Sequence, residues 1–98
     1  MASQLADAPG GPTLFLAECY WPGVTEQDVR AAVDRIDRAD VDHGRQLRGL
    51  SCLLMLEDGV VFFLYEAGSP DDVRTVHRSV GVEPDRIVAA IEIREDAR

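Results

Sequence analysis

The sequence predicts one α+β domain in which two helices cover a single face of a four-stranded antiparallel sheet. Its 98 residues, 46% hydrophobic and 29% charged, have the length and composition of one folded domain. Four apolar runs and two segments with helical spacing follow each other in the order strand, helix, strand, strand, helix, strand. Asp58-Gly59, between the second and third runs, is a strong hairpin signal.

The first strand and the first helix are predicted from the residues at their ends. The apolar run over residues 13–21 stops at Pro22-Gly23, which is typical of a turn. Thr25 can accept a hydrogen bond from the amide of Asp28, and Asp28 can return one to Thr25, so we expect a capping box at the helix start. The helix is expected to end near Asp40. Its apolar stripe comprises Val29, Ala32, Val33 and Ile36.

The second half of the chain is predicted in the same way. Residues 47–56 and 60–67 form the hairpin strands around Asp58-Gly59. Ser69 caps a second helix that has proline at its first position and acids in its first turn, and Gly81 ends it. Residues 86–94 form the last strand.

The order of these elements predicts the topology. With right-handed crossovers, β-α-β-β-α-β gives a ferredoxin-like sandwich with an antiparallel sheet in the order 4-1-3-2. The name of the fold implies no iron–sulfur cluster. Residues 13–95 are expected to form this single domain, and the Gly/Pro-rich residues 1–12 a flexible tail.

Alternation along the strands assigns side chains to the two faces of the sheet. A two-residue loop at Asp58-Gly59 pairs Met55 with Phe62 and Cys52 with Tyr65, and places the uncharged set beneath the helices. That set comprises Phe15, Ala17, Cys19, Leu50, Cys52, Leu54, Leu56, Val61, Phe63, Tyr65, Ala67, Ile87, Ala89, Ile91 and Ile93. The opposite face is also largely apolar, with Leu14, Leu16, Leu53, Met55, Phe62, Leu64, Val88 and Ala90. Because an exposed apolar patch of this extent usually marks an interface or a ligand groove, we predict a homodimer joined sheet against sheet, as in dimeric α+β barrels.

Charge and composition exclude several classes of function. The net charge of -8 disfavours a nucleic-acid partner, because phosphate binding depends on a basic surface. The sequence contains no lysine, so catalysis through a lysine Schiff base is excluded. The longest apolar run, residues 60–65, is far shorter than the roughly 20 residues of a membrane span, and the N-terminus does not resemble a signal peptide. We therefore expect a soluble cytoplasmic protein.

Polar side chains of the second face are the candidate ligand-binding residues: Glu18, Tyr20, Ser51, Glu66 and Glu92. The three glutamates could gather around a hard cation or a hydroxyl-bearing substrate, or one of them could act as a general base. The simpler interpretation is that they lie at the rim of the patch, solvated or paired with arginines of a partner. Tyr20 and Tyr65 are more simply explained as packing residues.

The two histidines are the candidate metal ligands, although neither lies in a strong metal motif. We expect His77 on the flank of the apolar stripe of the second helix, with one nitrogen near solvent; the positions four residues away hold Val73 and Gly81, which cannot complete a metal pair. His43 has two nearby carboxylates, Asp40 and Asp42, and could bind a metal weakly.

The two cysteines belong to no C-x-x-C pair. Cys19 and Cys52 both lie in apolar strand-like runs, without a local cation or helix start that would activate a thiol. They are therefore expected to be buried, reduced thiols.

Three stretches of the chain resemble a known family: FLAECYWPGVT at 15–25, YEA at 65–67 and VHRSVGVEPDRIV at 76–88. They are similar to the nickel-binding-protein-like family of small actinobacterial proteins, a domain-of-unknown-function family. The matching residues are Glu18, Pro22, Gly23, Tyr65, Ala67, Gly81, Asp85, Arg86 and Ile87, and the resemblance covers roughly Leu14 to Ile93. It implies a ferredoxin-like fold, dimerisation and, in some members, nickel binding. Relatives tend to carry tryptophan, often histidine, and serine in the second strand and cysteine in the third. This chain departs from that pattern, with Ser51, Leu53 and Leu54 in the second strand and Phe63 in the third.

Three hypotheses of function follow. The first is a dimeric, non-enzymatic binding protein for a metal ion such as nickel, or for a small ligand, on or near the second face of the sheet. The second is a dimeric α+β barrel enzyme acting on a small hydrophobic metabolite, in which Glu18, Tyr20, Glu66 or His77 would be the general acid or base. The third is a structural interaction domain whose apolar face binds a different protein.

Overall fold

The computed structural model of the protein describes residues 13–93; the predicted tail over residues 1–12 and residues 94–95 of the predicted domain lie outside this range. The described elements are β1 (Thr13–Tyr20), α1 (Glu26–Asp42), β2 (Leu47–Met55), β3 (Val60–Ala67), α2 (Pro70–Ser79) and β4 (Arg86–Ala90). The sheet has the order β2-β3-β1-β4 with antiparallel neighbours, so the predicted ferredoxin-like fold and its strand order are confirmed. Neither helix among the described residues has the length and apolar content needed to cross a membrane.

Both helices begin at the residues that the sequence indicates. Thr25 Oγ1 accepts a hydrogen bond from Asp28 N at 3.1 Å, and the Asp28 carboxylate accepts one from Thr25 N at 2.9 Å. Ser69 Oγ likewise accepts from Asp72 N at 3.2 Å, at the start of α2. The predicted capping box and the predicted N-cap are therefore confirmed, and each side chain satisfies a backbone amide that the first helical turn leaves without a partner.

The hydrophobic core lies between the two helices and one face of the sheet. Its buried members are Phe15, Ala17, Cys19, Val24, Val29, Ala32, Ile36, Val61, Phe63, Tyr65, Val73, Val76 and Val82. The β1 and β3 residues of this set are those assigned to the helix side by alternation.

Several apolar residues that we expected in the core are exposed. Ile91 and Ile93 are 86% and 85% exposed, because β4 ends at Ala90 and does not continue to residue 94. Leu56 lies in the hairpin turn and is 71% exposed. Val33 is 40% exposed, because it lies at the margin of the buried stripe of α1.

The hairpin between β2 and β3 has a longer turn than predicted. Residues 56–59 form a four-residue turn, so that Met55 pairs with Val60 and Leu53 with Phe62. The predicted pairing was wrong by two residues. Because side chains alternate with a period of two, this shift leaves each side chain near the turn on its expected face.

A β-bulge interrupts β2 between Gly49 and Ser51. Leu50 is the extra residue, and beyond it Gly49 pairs with Tyr65 and Arg48 with Glu66. Gly49 consequently lies on the helix side of the sheet, opposite Tyr65, while Arg48 lies on the other side.

The tip of this hairpin is attached to the loop between β1 and α1. Gly59, with φ of +63°, accepts a hydrogen bond at its carbonyl from Trp21 N at 2.6 Å. A Cβ on Gly59 would lie 3.1 Å from Pro22 Cα and 3.2 Å from Trp21 O, so the two loops are in direct backbone contact.

Candidate functional site

The face of the sheet away from the helices, called the open face below, is the main candidate surface. Its apolar residues come from all four strands: Leu14, Leu16, Leu53, Met55, Phe62, Leu64, Val88 and Ala90. Leu53 is 62% exposed and Met55 43% exposed, and no described element packs over this side. The open face is therefore apolar, as predicted.

Two ion pairs lie on the open face, at diagonally opposite corners. Arg48 Nη1 is 2.7 Å from Glu66 Oε1, and Arg86 Nε is 3.2 Å from Glu18 Oε1. Glu66 lies opposite Leu14, four residues along β1 from Glu18, which places the two carboxylates roughly 13 Å apart along the strand. Each of these two predicted ligand-binding glutamates therefore has an arginine of its own chain beside it.

The structure does not gather Glu18, Glu66 and Glu92 into one cluster, the arrangement that a shared cation site would need. Glu92 follows the end of β4 and does not extend that strand. Within residues 13–93, no group of three or more His, Cys, Asp or Glu residues is placed to hold a metal ion. The three residues are separated for two reasons. The strand register places Glu18 and Glu66 four residues apart along β1, and β4 ends before it reaches Glu92.

The two polar candidates without charge lie on different strands of the open face, Tyr20 on the central strand β1 and Ser51 on the edge strand β2. Tyr20 ends β1 and is 63% exposed, while its backbone N donates to Asp85 Oδ2 at 2.5 Å. Ser51 is exposed on the edge strand β2, opposite Leu64. Both side chains are accessible, but they do not converge on one point with the glutamates.

His77 lies in the core and not on the flank of α2, so our predicted placement was wrong. The residue is completely buried. Its Nδ1 lies 2.8 Å from the Val82 carbonyl oxygen and its Nε2 lies 2.6 Å from the Tyr65 hydroxyl. A carbonyl oxygen only accepts, so Nδ1 carries the proton and donates to Val82, and the Tyr65 hydroxyl donates to Nε2. Both nitrogens are therefore engaged within the protein, and neither is directed at solvent or at a metal.

The pair formed by Tyr65 and His77 is neutral near pH 7. Burial raises the pKa of the Tyr65 phenol far above its ordinary value. Burial also lowers the pKa of His77, against the opposing effect of its hydrogen bond to the Val82 backbone. The edge of the His77 ring also packs on Phe63, with ring centroids 4.9 Å apart. A tyrosine–histidine contact can transfer protons where substrate reaches it, but this contact is enclosed in the core and joins α2 to β3.

The buried neutral histidine makes stability depend on pH. The ordinary pKa of His77, 6.5, applies to the unfolded chain, and the folded value is lower. The unfolded state therefore binds more protons below pH 6.5, and the stabilisation is complete above that pH and is lost as the pH falls below it. Between pH 7.5 and 5.5 we expect His77 to account for a loss of up to about 1.4 kcal/mol in the free energy of unfolding. Urea titrations at these two pH values check this, and His77→Gln should lack this part of the loss; an equal loss in both proteins would refute the assignment.

His43, the other candidate metal ligand, lies at the C-terminal end of α1. It is exposed, and its Nδ1 donates to the Ala39 carbonyl oxygen at 2.8 Å. The nearby Asp40 does not face it as a free ligand, because Asp40 Oδ1 accepts from the backbone amides of Gln46 and Leu47 at 2.7 and 3.0 Å. His43 therefore functions in this structure as a helix cap.

Only one of the two cysteines is buried as predicted. Cys19 is in the core, and burial raises the pKa of its thiol to about 12. Cys52 is exposed, because β2 lies at the sheet edge beyond the cover of α1. The pKa of its thiol is nevertheless raised by partial desolvation, so the thiol stays protonated and is a weak nucleophile at neutral pH.

Sequence analysis missed an open groove between α1 and β2 and the role of Asp40 in it. Asp40 is only 4% exposed and lines this groove together with Ile36. A signal was present in the sequence: the buried stripe of Val29, Ala32 and Ile36 continues at helical spacing to Asp40. The prediction placed Asp40 only near the end of the helix, before a polar loop, and gave it no role.

Comparisons with known proteins identify the fold of the chain. No family model and no curated protein matches it. Among solved structures, SCO4226 from Streptomyces coelicolor A3(2) matches with a TM-score of 0.68 and 20% sequence identity, over 86% of this chain and 99% of that one. This likeness shows the shared fold.

Proposed function

We propose that this protein is a non-enzymatic binding protein that works as a homodimer, joined through the open face and holding a small ligand at the join. The observation that carries the proposal is an apolar centre framed by ion pairs on a sheet face that no described element covers. Protein interfaces have this arrangement, with an apolar core and a polar rim. As the sequence resemblance implies, the chain would be a divergent member of the nickel-binding-protein-like family.

Charge favours a second copy of this chain as the partner. The whole chain has a net charge of -8, which would oppose self-association if the acids were spread evenly. On the four strands of the open face, however, Glu18 and Glu66 are balanced by Arg86 and Arg48. Two copies can therefore bring these faces together without burying unpaired acids from the strands.

The same face is better suited to a small organic ligand than to nickel. Nickel prefers imidazole ligands, and neither histidine lies on the open face. The exposed hydroxyls of Tyr20 and Ser51 lie beside apolar side chains, which is the mixture that small-molecule sites use. The enzyme hypothesis receives less support, because the tyrosine–histidine pair is enclosed in the core.

The oligomeric state of wild type and Leu64→Arg tests the proposal. Leu64 lies at the centre of the open face, between Leu16 and Ser51, so an arginine there would place an unpaired charge in the join. We expect wild type to be a dimer by light scattering at about 100 µM and Leu64→Arg to be a monomer with unchanged far-ultraviolet circular dichroism, because interface charges of this kind cost several kcal/mol.

A matched control is available on α1. Val41 is 45% exposed on the helix and away from the sheet, so Val41→Arg should remain a dimer. A monomeric wild type, or a Leu64→Arg variant that stays dimeric, would overturn the proposal. If the open face binds a different protein and not a second copy of this chain, the interaction-domain hypothesis is favoured instead.

A further inference from the structure

The groove between α1 and β2 has the size of a small-molecule site. Because β2 is the edge strand and α1 does not extend over it, Leu50 and Leu54 are only half-buried and Cys52 is exposed. The space between the helix and this strand is about 340 Å³, within the range of roughly 300–1,000 Å³ that ligand sites occupy. It opens on the helix side of the sheet, whereas the proposed dimer forms through the open face.

The floor of the groove is apolar and rigid. Its deepest residues are Phe63 and Tyr65, whose rings lie nearly parallel, with an interplanar angle of 7° and centroids 6.3 Å apart. These two residues are only 1% and 5% exposed, so the apolar surface that a ligand reaches is mainly that of the half-buried Leu47 and Leu50. The hydrogen bond to His77 fixes the Tyr65 ring. Gly49 lies across from this ring, and a Cβ there would be 3.8 Å from Tyr65 Cε1, so the missing side chain leaves space over the floor.

Asp40 supplies a charged group with an unused acceptor. The residue is 4% exposed, and its Oδ1 accepts the backbone amides of Gln46 and Leu47. Its Oδ2 receives no hydrogen bond from any residue in the range 13–93. Every fully buried side-chain nitrogen or oxygen in that range has a partner, so Oδ2 is accessible, and Asp40 lines the groove. An accessible carboxylate oxygen with no hydrogen bond of its own can accept a charge-assisted hydrogen bond from a cationic donor.

Two further carboxylates strengthen the negative potential at the same wall. Asp34 and Asp37 precede Asp40 by six and three residues on α1 and also line the groove. Neither has an ion-pair partner among the residues that the structure describes. The acids do not form a metal centre, since no group of three potential ligands in residues 13–93 is suitably placed. The apolar floor, in contrast, suits an organic body.

We propose that this groove binds a protonated primary arylalkylamine. Its ammonium group donates to Asp40 Oδ2, and its aromatic body packs against Leu47 and Leu50, in the space left by Gly49 beside Tyr65. The three carboxylates provide selectivity for a cation, and the limited volume restricts the ligand to one or two fused rings.

Titration of the full-length, ¹⁵N-labelled protein with tryptamine tests this assignment. We expect saturable shifts of the amides of residues 33–52 that line the groove. Asp40→Asn is the informative variant, because the asparagine carbonyl can still accept the amides of Gln46 and Leu47 while its NH₂ group replaces Oδ2. The affinity for tryptamine should fall by about tenfold or more, the usual effect of losing a charge-assisted hydrogen bond. Asp71→Asn, at an exposed acid on α2, should bind as wild type does.

Two more measurements separate charge from shape. Tryptophol carries a hydroxyl in place of the ammonium and should bind wild type about tenfold more weakly than tryptamine does. Its affinity for Asp40→Asn should equal its affinity for wild type. Gly49→Val adds a side chain over Tyr65 without changing charge and should abolish tryptamine binding, which provides a test should Asp40→Asn fail to fold. The absence of shifts in wild type at millimolar tryptamine, equal affinity of wild type for both probes, or shifts confined to the open face would overturn the proposal.

Discussion

Replacement of His77 by alanine should lower the free energy of unfolding by about 4 kcal/mol. The ring is completely buried and packs edge-on against Phe63, so its removal leaves a cavity. The change also leaves the Tyr65 hydroxyl and the Val82 carbonyl without their partners. Since a small domain has a total stability of roughly 5–15 kcal/mol, the variant should be close to unfolding. Urea unfolding followed by circular dichroism at pH 7.5 measures the loss.

Two other variants define the origin of this effect. Tyr65→Phe keeps the packing and removes only the donor to His77 Nε2, so a smaller loss of about 1–3 kcal/mol is expected. His43→Ala changes the exposed histidine at the end of α1 and should cost no more than about 1 kcal/mol. If His77→Ala were as mild as His43→Ala, the buried position of His77 would be refuted.

Replacement of Gly59 by alanine should cost about 3 kcal/mol, again measured by urea unfolding. The residue has a φ of +63°, where any Cβ is strained. The new Cβ would also lie 3.1 Å from Pro22 Cα and 3.2 Å from Trp21 O, and backbone atoms cannot turn aside as a flexible side chain would. The hairpin tip and the β1–α1 loop must therefore separate, which weakens the hydrogen bond from Trp21 N to Gly59 O.

Gly81 offers a control for the backbone contribution alone. It has a φ of +78°, but a Cβ there would meet nothing within 4 Å. Gly81→Ala should therefore cost only about 1 kcal/mol, the penalty of the left-handed conformation. Equal losses for the two alanine variants would show that the contact between the loops contributes nothing to stability.

The fold could be predicted from the sequence because its determinants are local. Thr25 with Asp28, and Ser69 with Pro70, specify where the helices start, and alternation specifies which side of β1 and β3 is buried. The register in which β2 pairs with β3 was harder to predict. Asp58-Gly59 indicates a turn but does not determine the length of that turn, which depends on how Gly59 fits against Trp21 and Pro22 from a distant loop.

The candidate site was predicted less well than the fold, because two of its polar residues are buried at positions where helical spacing, and not polarity, decides the location. His77 follows Val73 by four residues and Val76 by one, which places it within the buried face of α2. Asp40 similarly continues the buried stripe of α1. Each residue is buried with hydrogen-bond partners supplied by segments distant in the chain or by a loop, and such partners are not visible in a local pattern. The coverage of the sheet by α1 is likewise a tertiary property, so the exposure of Cys52 could not be deduced.

The bulge in β2 has a consequence for the solubility of the domain. An edge strand offers unpaired amides and carbonyls to strands of other chains, and a straight, unbroken edge is the form that such strands pair with most easily. The extra residue, Leu50, breaks this ladder near its middle and increases the local twist. It also lets Arg48 and Leu53, an odd number of residues apart, lie on the same face, so that a charge stands beside the exposed edge. The protein can therefore present a broad apolar surface for specific contact while its β2 edge resists the open-ended strand addition that leads to aggregation.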